Sequence, residues 1–460
     1  MKLVLLSGGS GKRLWPLSND ARSKQFLKVL KNDNGMEQSM VQRVWEQLAR
    51  NELDHNSVIA TSKSQVDMIY SQLGSNIPII IEPERRDTFP AIALAATYLY
   101  SVEGCSSEEV VAMLPVDPFV EDHFFSTVKG LESALTEADA DIALIGVKPT
   151  YPSEKYGYIV PRRLSQEEEK NEYYTIETFK EKPKQKIAMD LIDKNALWNC
   201  GVFAFRLKYI LEILQEMNLP IQFEQLLKQY HLLPKNSFDY EVVEKANHII
   251  AVPYEGYWKD LGTWNTLTEE IAQQVNGKGY ISKEVNNSHI INELDIPITL
   301  IGLKNVVVAA SPDGILVTDK ESSPRVKELV QDFEGRPMYE ERRWGWYKVL
   351  EHTKFPEGNE VLTKRICIEK GKNLSYQIHY KRSEIWSVVK GEGVLVLNDQ
   401  LRPIRAGDVV NIPLGMKHSV RATSTMEIIE VQTGSELIEE DTFRYELKWE
   451  KILSGMMIPY

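Results

Sequence analysis

The chain has 460 residues, 43% of them hydrophobic, and carries 54 Lys and Arg against 66 Asp and Glu, a net charge of −12. That acidic balance excludes a general nucleic-acid or membrane surface, so any anion site must be a local concentration of positive charge. The length exceeds one ordinary core and predicts two or three domains, while three dispersed cysteines (Cys105, Cys200, Cys367) and the lack of any apolar run of membrane length fit a reduced, cytoplasmic protein.

A short apolar strand over residues 2–6 runs into SGGSGKRLWPLS at residues 7–18. Ser7, Gly8, Gly9 and Gly11 let backbone N–H groups approach a phosphate, and Lys12, Arg13 and Lys24 add positive charge, so the segment reads as a triphosphate cradle. Two commoner glycine loops fit poorly. Arg13 stands where the hydroxyl of a P-loop would follow its lysine, and Leu14 fills the place where a dinucleotide fingerprint needs a small residue. Apolar strands over 57–60, 77–81, 110–114 and 142–147 alternate with helical patterns over 36–50, 63–72, 90–102 and 124–138. This predicts an α/β fold with a doubly wound, mostly parallel sheet. Ligands of such sheets bind beyond the strand carboxyl ends, where residues 7–13, 82–88 and Asp117 fall. From about residue 280 the texture turns to short β-rich stretches over 297–303, 306–310 and 314–318, followed by a charged segment over 319–343.

The loop with its LWPLS extension resembles the sugar-1-phosphate nucleotidyltransferases, and among them the mannose-1-phosphate guanylyltransferases. Further segments follow in that family's order: KQFL (24–27), EPERRDTFPAIALAA (82–96), LPVD (114–117), PTYPSEKYGYI (149–159), FKEKP (179–183), WNCGVFAF (198–205), SFDYEVVEK (237–245) and WKDLGTW (258–264). The resemblance implies attack by a sugar 1-phosphate on the α-phosphorus of GTP, with Arg13 and Lys24 on the triphosphate and Asp117 and Asp260 on Mg²⁺. It places Lys182 on the sugar phosphate, Glu181, Asn199 and Gly157 at the sugar, and Arg86 and Thr88 near the nucleotide. Guanine presents adjacent N–H donors that one carboxylate accepts, so Glu82, at a strand end, is expected to read the base. Family habit implies a homo-oligomer, a dimer by analogy. Departures from the usual pattern stand at Asn19, Ser23, Arg85, Asp87, Val116 and Pro118, and they leave the exact sugar open.

The C-terminal segment carries its own spacing. Gly371, Gln377, His379, Glu384 and Gly391, then Gly407, Pro413, Gly415 and His418, resemble the cupin pattern, which normally has histidine in place of Gln377. Residues 377 and 379 of a strand face one way, so Gln377, His379, Glu384 and His418 are expected to line a small β-barrel and bind Zn²⁺ or another divalent metal. The domains expected are 1–275 for the nucleotidyltransferase, 276–335 for a small β linking unit and 336–460 for the cupin. A cupin in this position resembles mannose-6-phosphate isomerase, with Arg382 matching its arginine, but Tyr380, Lys381 and Ile385 stand where that motif has histidines. A transferase for another nucleotide or sugar 1-phosphate with a structural or regulatory cupin stays open as an alternative, as does a non-catalytic sugar-nucleotide sensor.

Overall fold

The computed structural model describes residues 1–9, 11–162, 172–333 and 335–456, which leaves Ser10 of the glycine loop outside the described residues. A nine-stranded sheet forms the N-terminal core. Its strands in chain order are β1 (Lys2–Ser7), β2 (Ser57–Ser62), β3 (Ile79–Glu82), β4 (Val110–Pro115), β5 (Ile142–Val147), β6 (Tyr158–Pro161), β7 (Tyr174–Lys180), β8 (Leu197–Arg206) and β9 (Ile249–Tyr254). They lie in the order β3-β2-β1-β4-β8-β5-β9-β7-β6. Pairing is parallel along β3-β2-β1-β4 and between β5 and β9, which is what alternating strands and helices require. Strand β8 enters antiparallel between β4 and β5, so the sheet is mixed beyond β4.

Helices α1 (Met40–Arg50) and α3 (Phe124–Glu137) cover one face, where Leu3, Leu5, Leu48 and Phe125 are buried together. Helix α2 (Thr88–Ser101) covers the other, with Val4, Phe89, Ile92 and Leu99. A strand whose successive side chains serve two cores has no polar face, and β1, β4 and β5 read accordingly as continuous apolar runs. The helix expected over 36–50 begins only at Met40. Ser39 and Gln42 form a reciprocal capping box there, and Glu37–Gln38 pairs as a short strand with Leu30–Lys31 instead.

Between residues 275 and 319 short strands stack largely in parallel. Val275–Gly277, His289–Asn292, Val306–Ser311 and Gly314–Asp319 form one sheet, and Gly279–Ile281 pairs with Ile298–Leu300. Beyond them, sheets of six and five strands share a core built on Leu362, Trp386, Leu395, Val420 and Ile428. Among the described residues, no helix is long and apolar enough to cross a membrane.

Trp264 ties the glycine-loop extension to the linking strands: it is fully buried in one cluster with Leu14, Leu17, Ile291 and Val307, and its Nε1 donates to the Trp15 carbonyl at 3.1 Å. Trp264→Phe retains most of the buried ring and orphans that carbonyl. A loss of about 1–3 kcal/mol is expected, read as a lower urea midpoint at unchanged slope.

Candidate functional site

Three distant segments meet at one ammonium. Lys24 Nζ lies 2.7 Å from Asp117 Oδ2 and 2.8 Å from Asp260 Oδ1. The two carboxylates are brought together by a small antiparallel pair, Pro118–Val120 with Trp258–Asp260, in which Asp260 registers against Pro118. Asp117 sits where β4 ends, and Asp260 opens the turn before the helix Trp264–Glu270. A Cβ on Gly262 would fall 2.9 Å from Asp260 Oδ2, so the glycine of WKDLGTW gives that carboxylate its room. Burial alone would lower the pKa of Lys24, but Asp117 and Asp260 outweigh it and hold the ammonium above the ordinary lysine value. Burial likewise pushes Asp260 up, while Lys24, Arg13 and Lys155 pull it below the usual carboxylate range.

The glycine loop leads into this cluster from β1. Gly11 has φ of 59°, and a Cβ there would lie 2.0 Å from the Asn19 carbonyl oxygen, so only glycine fits. Ser18 Oγ donates to the Gly11 carbonyl and accepts from the Leu14 N–H at 3.2 Å, which closes the loop on itself. Ser7 accepts from Gln25 at 3.1 Å. Gly8 and Gly9 have nothing within 4 Å of an added Cβ, so their backbone faces open space. Lys12 donates to the Gln331 carbonyl at 2.7 Å.

A second cluster forms behind Asn199. Strand β8 bulges between Asn199 and Phe203, with Gly201 at φ of 77°, and Gly201 N–H donates to Asn199 Oδ1 at 3.0 Å. Asn199 Nδ2 donates to Asp239 Oδ1 at 2.7 Å. A Cβ on Gly157 would sit 2.5 Å from Glu181 Oε2, so glycine there makes room for the Glu181 carboxylate. Lys182, at φ of 44°, pairs with Glu181 and has its ammonium 5.9 Å from the Tyr240 ring centroid. A lysine in the left-handed region is uncommon and marks a backbone held by its surroundings.

Other residues expected at the nucleotide site turn elsewhere. Glu82 is buried at the end of β3 and accepts from Tyr230 Oη at 2.9 Å. Arg86 donates to the Leu233 carbonyl at 3.0 and 3.2 Å, and Thr88 Oγ1 accepts from Phe238 N–H at 2.8 Å. All three have polar groups engaged with the segment over 230–238, not with the Lys24 cluster.

In the C-terminal sheets, Gln377 pairs in register with His418, and its Nε2 lies 3.2 Å from His379 Nε2 and 3.3 Å from His418 Nε2. Glu384 completes the group at 3.2 Å from His379 Nε2 and 3.5 Å from His418 Nε2. The ligand atoms of His379, Glu384 and His418 lie within 4.8 Å of one another, and all three residues are buried, so they form a group able to hold a metal ion. Each imidazole is fixed through Nδ1, His379 against the Asp441 carbonyl at 3.2 Å and His418 against the Met416 carbonyl at 3.0 Å. With that nitrogen as donor, both Nε2 lone pairs face the centre. Arg382 Nε donates to Glu384 Oε1 at 3.1 Å, and its other nitrogens reach Ile438 O and Thr442 Oγ1, each at 2.9 Å.

Sequence reasoning missed Asp239, Tyr230, Glu430 and Asp441. Asp239 lies inside SFDYEVVEK (237–245), where an acid between two aromatics is the one visible signal. Asp441 is the buried member of a Glu-Glu-Asp run, accepting from Tyr380 and Lys381 N–H groups at 3.0 and 3.1 Å. Composition does not separate it from its neighbours.

Residues 2–276 match the nucleotidyl transferase family, and residues 336–447 match the C-terminal region of mannose-6-phosphate isomerase. The alginate biosynthesis protein AlgA of Pseudomonas putida is 31% identical, over 96% of this chain and 95% of that protein. The mannose-1-phosphate guanylyltransferase of Escherichia coli is 28% identical, over 98% of both. Among solved structures, one described as a mannose-1-phosphate geranyltransferase from Thermus thermophilus superposes with a TM-score of 0.60 at 28% identity, covering 73% of this chain and 99% of that one.

Burial first, and then the Glu181 charge, push the Asp239 carboxyl up to about 7. Between about 3.9, its unfolded value, and that point the folded protein keeps a proton that the unfolded chain releases, so this group's contribution to stability falls as pH rises. Asp239→Asn keeps an acceptor for Asn199 and has no proton to lose. Its urea midpoint relative to the parent is expected to climb from pH 4 to pH 7.

Proposed function

The chain belongs to the nucleotidyl transferase family, in its mannose-1-phosphate guanylyltransferase branch with a C-terminal domain of mannose-6-phosphate isomerase type, and we propose that it joins GTP and mannose 1-phosphate into GDP-mannose. A phosphate oxygen of the sugar 1-phosphate forms a bond to the α-phosphorus as the bond to the β-bridging oxygen breaks, and pyrophosphate leaves with its electron pair. Two polyanions must meet in line, so neutralisation and positioning carry the catalysis. The observation that carries this reading is the convergence of Asp117, Lys24 and Asp260 beside a glycine loop.

Within it, the backbone of Ser7, Gly8, Gly9 and Gly11 with Lys12 and Arg13 holds the triphosphate, and Lys24 follows the charge onto the departing pyrophosphate. Lys182 grips the sugar phosphate as a compact point charge, while Glu181 and Asn199 address sugar hydroxyls beside Gly157. Asp117 and Asp260 suit Mg²⁺, since two hard carboxylate oxygens from separate segments already face one cation, Lys24. The ion would supply neutralisation of phosphate charge at that place. Glu82 reads guanine only if it leaves Tyr230, because its carboxylate is buried against that hydroxyl.

The C-terminal cluster favours a second, metal-dependent activity on a sugar phosphate, interconversion of fructose 6-phosphate and mannose 6-phosphate. Two anchored histidines and a buried carboxylate support it. Zn²⁺ suits this nitrogen-rich set, and Gln377 adds an amide where a histidine is usual.

With GTP and mannose 1-phosphate, the full chain is expected to release pyrophosphate faster than with ATP or UTP. Asp260→Asn should lower that rate about 10²- to 10³-fold. Equal rates with all triphosphates would move the activity to another substrate, and no pyrophosphate with any pair would leave the sensor. Full-length protein exposed to Zn²⁺ and desalted is expected to keep about one ion per chain by elemental analysis. The double substitution His379→Ala, His418→Ala should keep none.

A further inference from the structure

The glycine loop is closed by contacts from far along the chain. Asn19 forms its outer wall, with its carbonyl against Gly11 and its Oδ1 accepting from Ala21 N–H at 3.0 Å and Arg22 N–H at 2.8 Å. The remaining polar group of that side chain, Nδ2, donates to Asp313 Oδ2 at 2.8 Å. Asp313 is 294 residues away, in the turn between Val306–Ser311 and Gly314–Asp319. Its other oxygen accepts the Met338 N–H at 2.6 Å, at the entry to the C-terminal sheets. Ser311 adds a bond from its Oγ to the Pro16 carbonyl at 2.6 Å. Arg22, buried at the loop's far end, makes a two-pronged pair with Glu293 at 2.8 Å on each prong.

We propose that Asp313 is a positioning residue for nucleotide binding: one carboxylate clamps the phosphate loop through Asn19 and the first C-terminal strand through Met338, so the loop keeps its cradle shape only while both are held. This rests on the transferase reading for its effect on GTP, while the clamp itself is a matter of geometry. A carboxylate accepts at two oxygens in one plane, so it can hold two donors from different segments at once. Hydrogen bonds to a charged group are the stronger kind, and a loop rich in glycine has the most conformational freedom to lose.

The test exchanges the two partners in the full-length protein. Asn19→Asp keeps the acceptor for Ala21 and Arg22 but sets a carboxylate against Asp313. Asp313→Ala removes the clamp from the other side. Each is expected to raise the KM for GTP about tenfold, with the KM for mannose 1-phosphate within about twofold of the parent. Each should also speed hydrogen exchange of the amides over residues 11–23 in protein without nucleotide. The double variant Asn19→Asp, Asp313→Asn rebuilds every bond with amide and carboxylate interchanged, and should return both readouts to within about threefold of the parent. Unchanged exchange in both single variants, a parallel rise in both KM values, or no recovery in the double variant would overturn the proposal. If Asp313→Ala does not fold, Asn19→Asp and the double variant decide it. A parent that turns over no GTP would defeat the transferase reading, and the exchange measurements would still decide the clamp.

Discussion

Two carboxylates around one ammonium is the constraint on which the rest of the N-terminal half depends. In a chain of net charge −12, an acidic pair placed together repels unless a cation sits between its members, and any polyanion brought there meets the same repulsion. Lys24 answers both problems. It neutralises Asp117 and Asp260, and on the transferase reading its flexible stem would let the charge pass to phosphate oxygens. The arrangement requires strand β4 to end at Pro115, two residues before Asp117, and the 258–260 strand to pair against 118–120 in one register. A slip of one residue would turn Asp260 to the opposite face and leave Lys24 with a single partner.

That dependence explains what was legible in the sequence. Strands β4 and β5, and β1 between Lys2 and Ser7, are apolar because both faces are covered, so hydrophobicity placed them to within a residue. The glycine loop was legible because Gly11 adopts a backbone that side chains with a Cβ resist. Strand β8 was not. Its segment carried only a resemblance, and only the fold shows an antiparallel strand whose bulge at Gly201 accompanies the Asn199 bond to Asp239. Nor were the start of α1 or the partners of Glu82 visible. Ser39 is a capping residue only in relation to Gln42, and Tyr230 reaches Glu82 across 148 residues.

The C-terminal cluster shows the same limit in another form. Spacing put Gln377 and His379 on one strand, which ends instead at Ile378, and their convergence with His418 was implied by the resemblance to the cupin pattern. It said nothing of Asp441. The Asp441 carbonyl fixes one histidine, while its side chain holds the backbone at Tyr380 and Lys381. Nothing in a Glu-Glu-Asp run distinguishes a buried acid from two exposed ones until the fold does.

Arg382 bears on how far a second activity extends. A guanidinium that grips a substrate phosphate needs donors to spare, and in this chain one prong is spent on Glu384 and others on Ile438 and Thr442. Burial pushes Glu384 up, but His418 and His379 first, and then Arg382, hold it below the usual carboxylate range, and an ionised carboxylate is what a divalent metal requires. Arg382 therefore serves the metal group before it serves any substrate. Beside Glu384 lies a second buried carboxylate, Glu430. Trp386 Nε1 bridges it to Glu384, at 3.0 Å from one and 3.2 Å from the other. Burial first, and then Glu384, push Glu430 up to about 7, the range in which a carboxylate both takes and returns a proton.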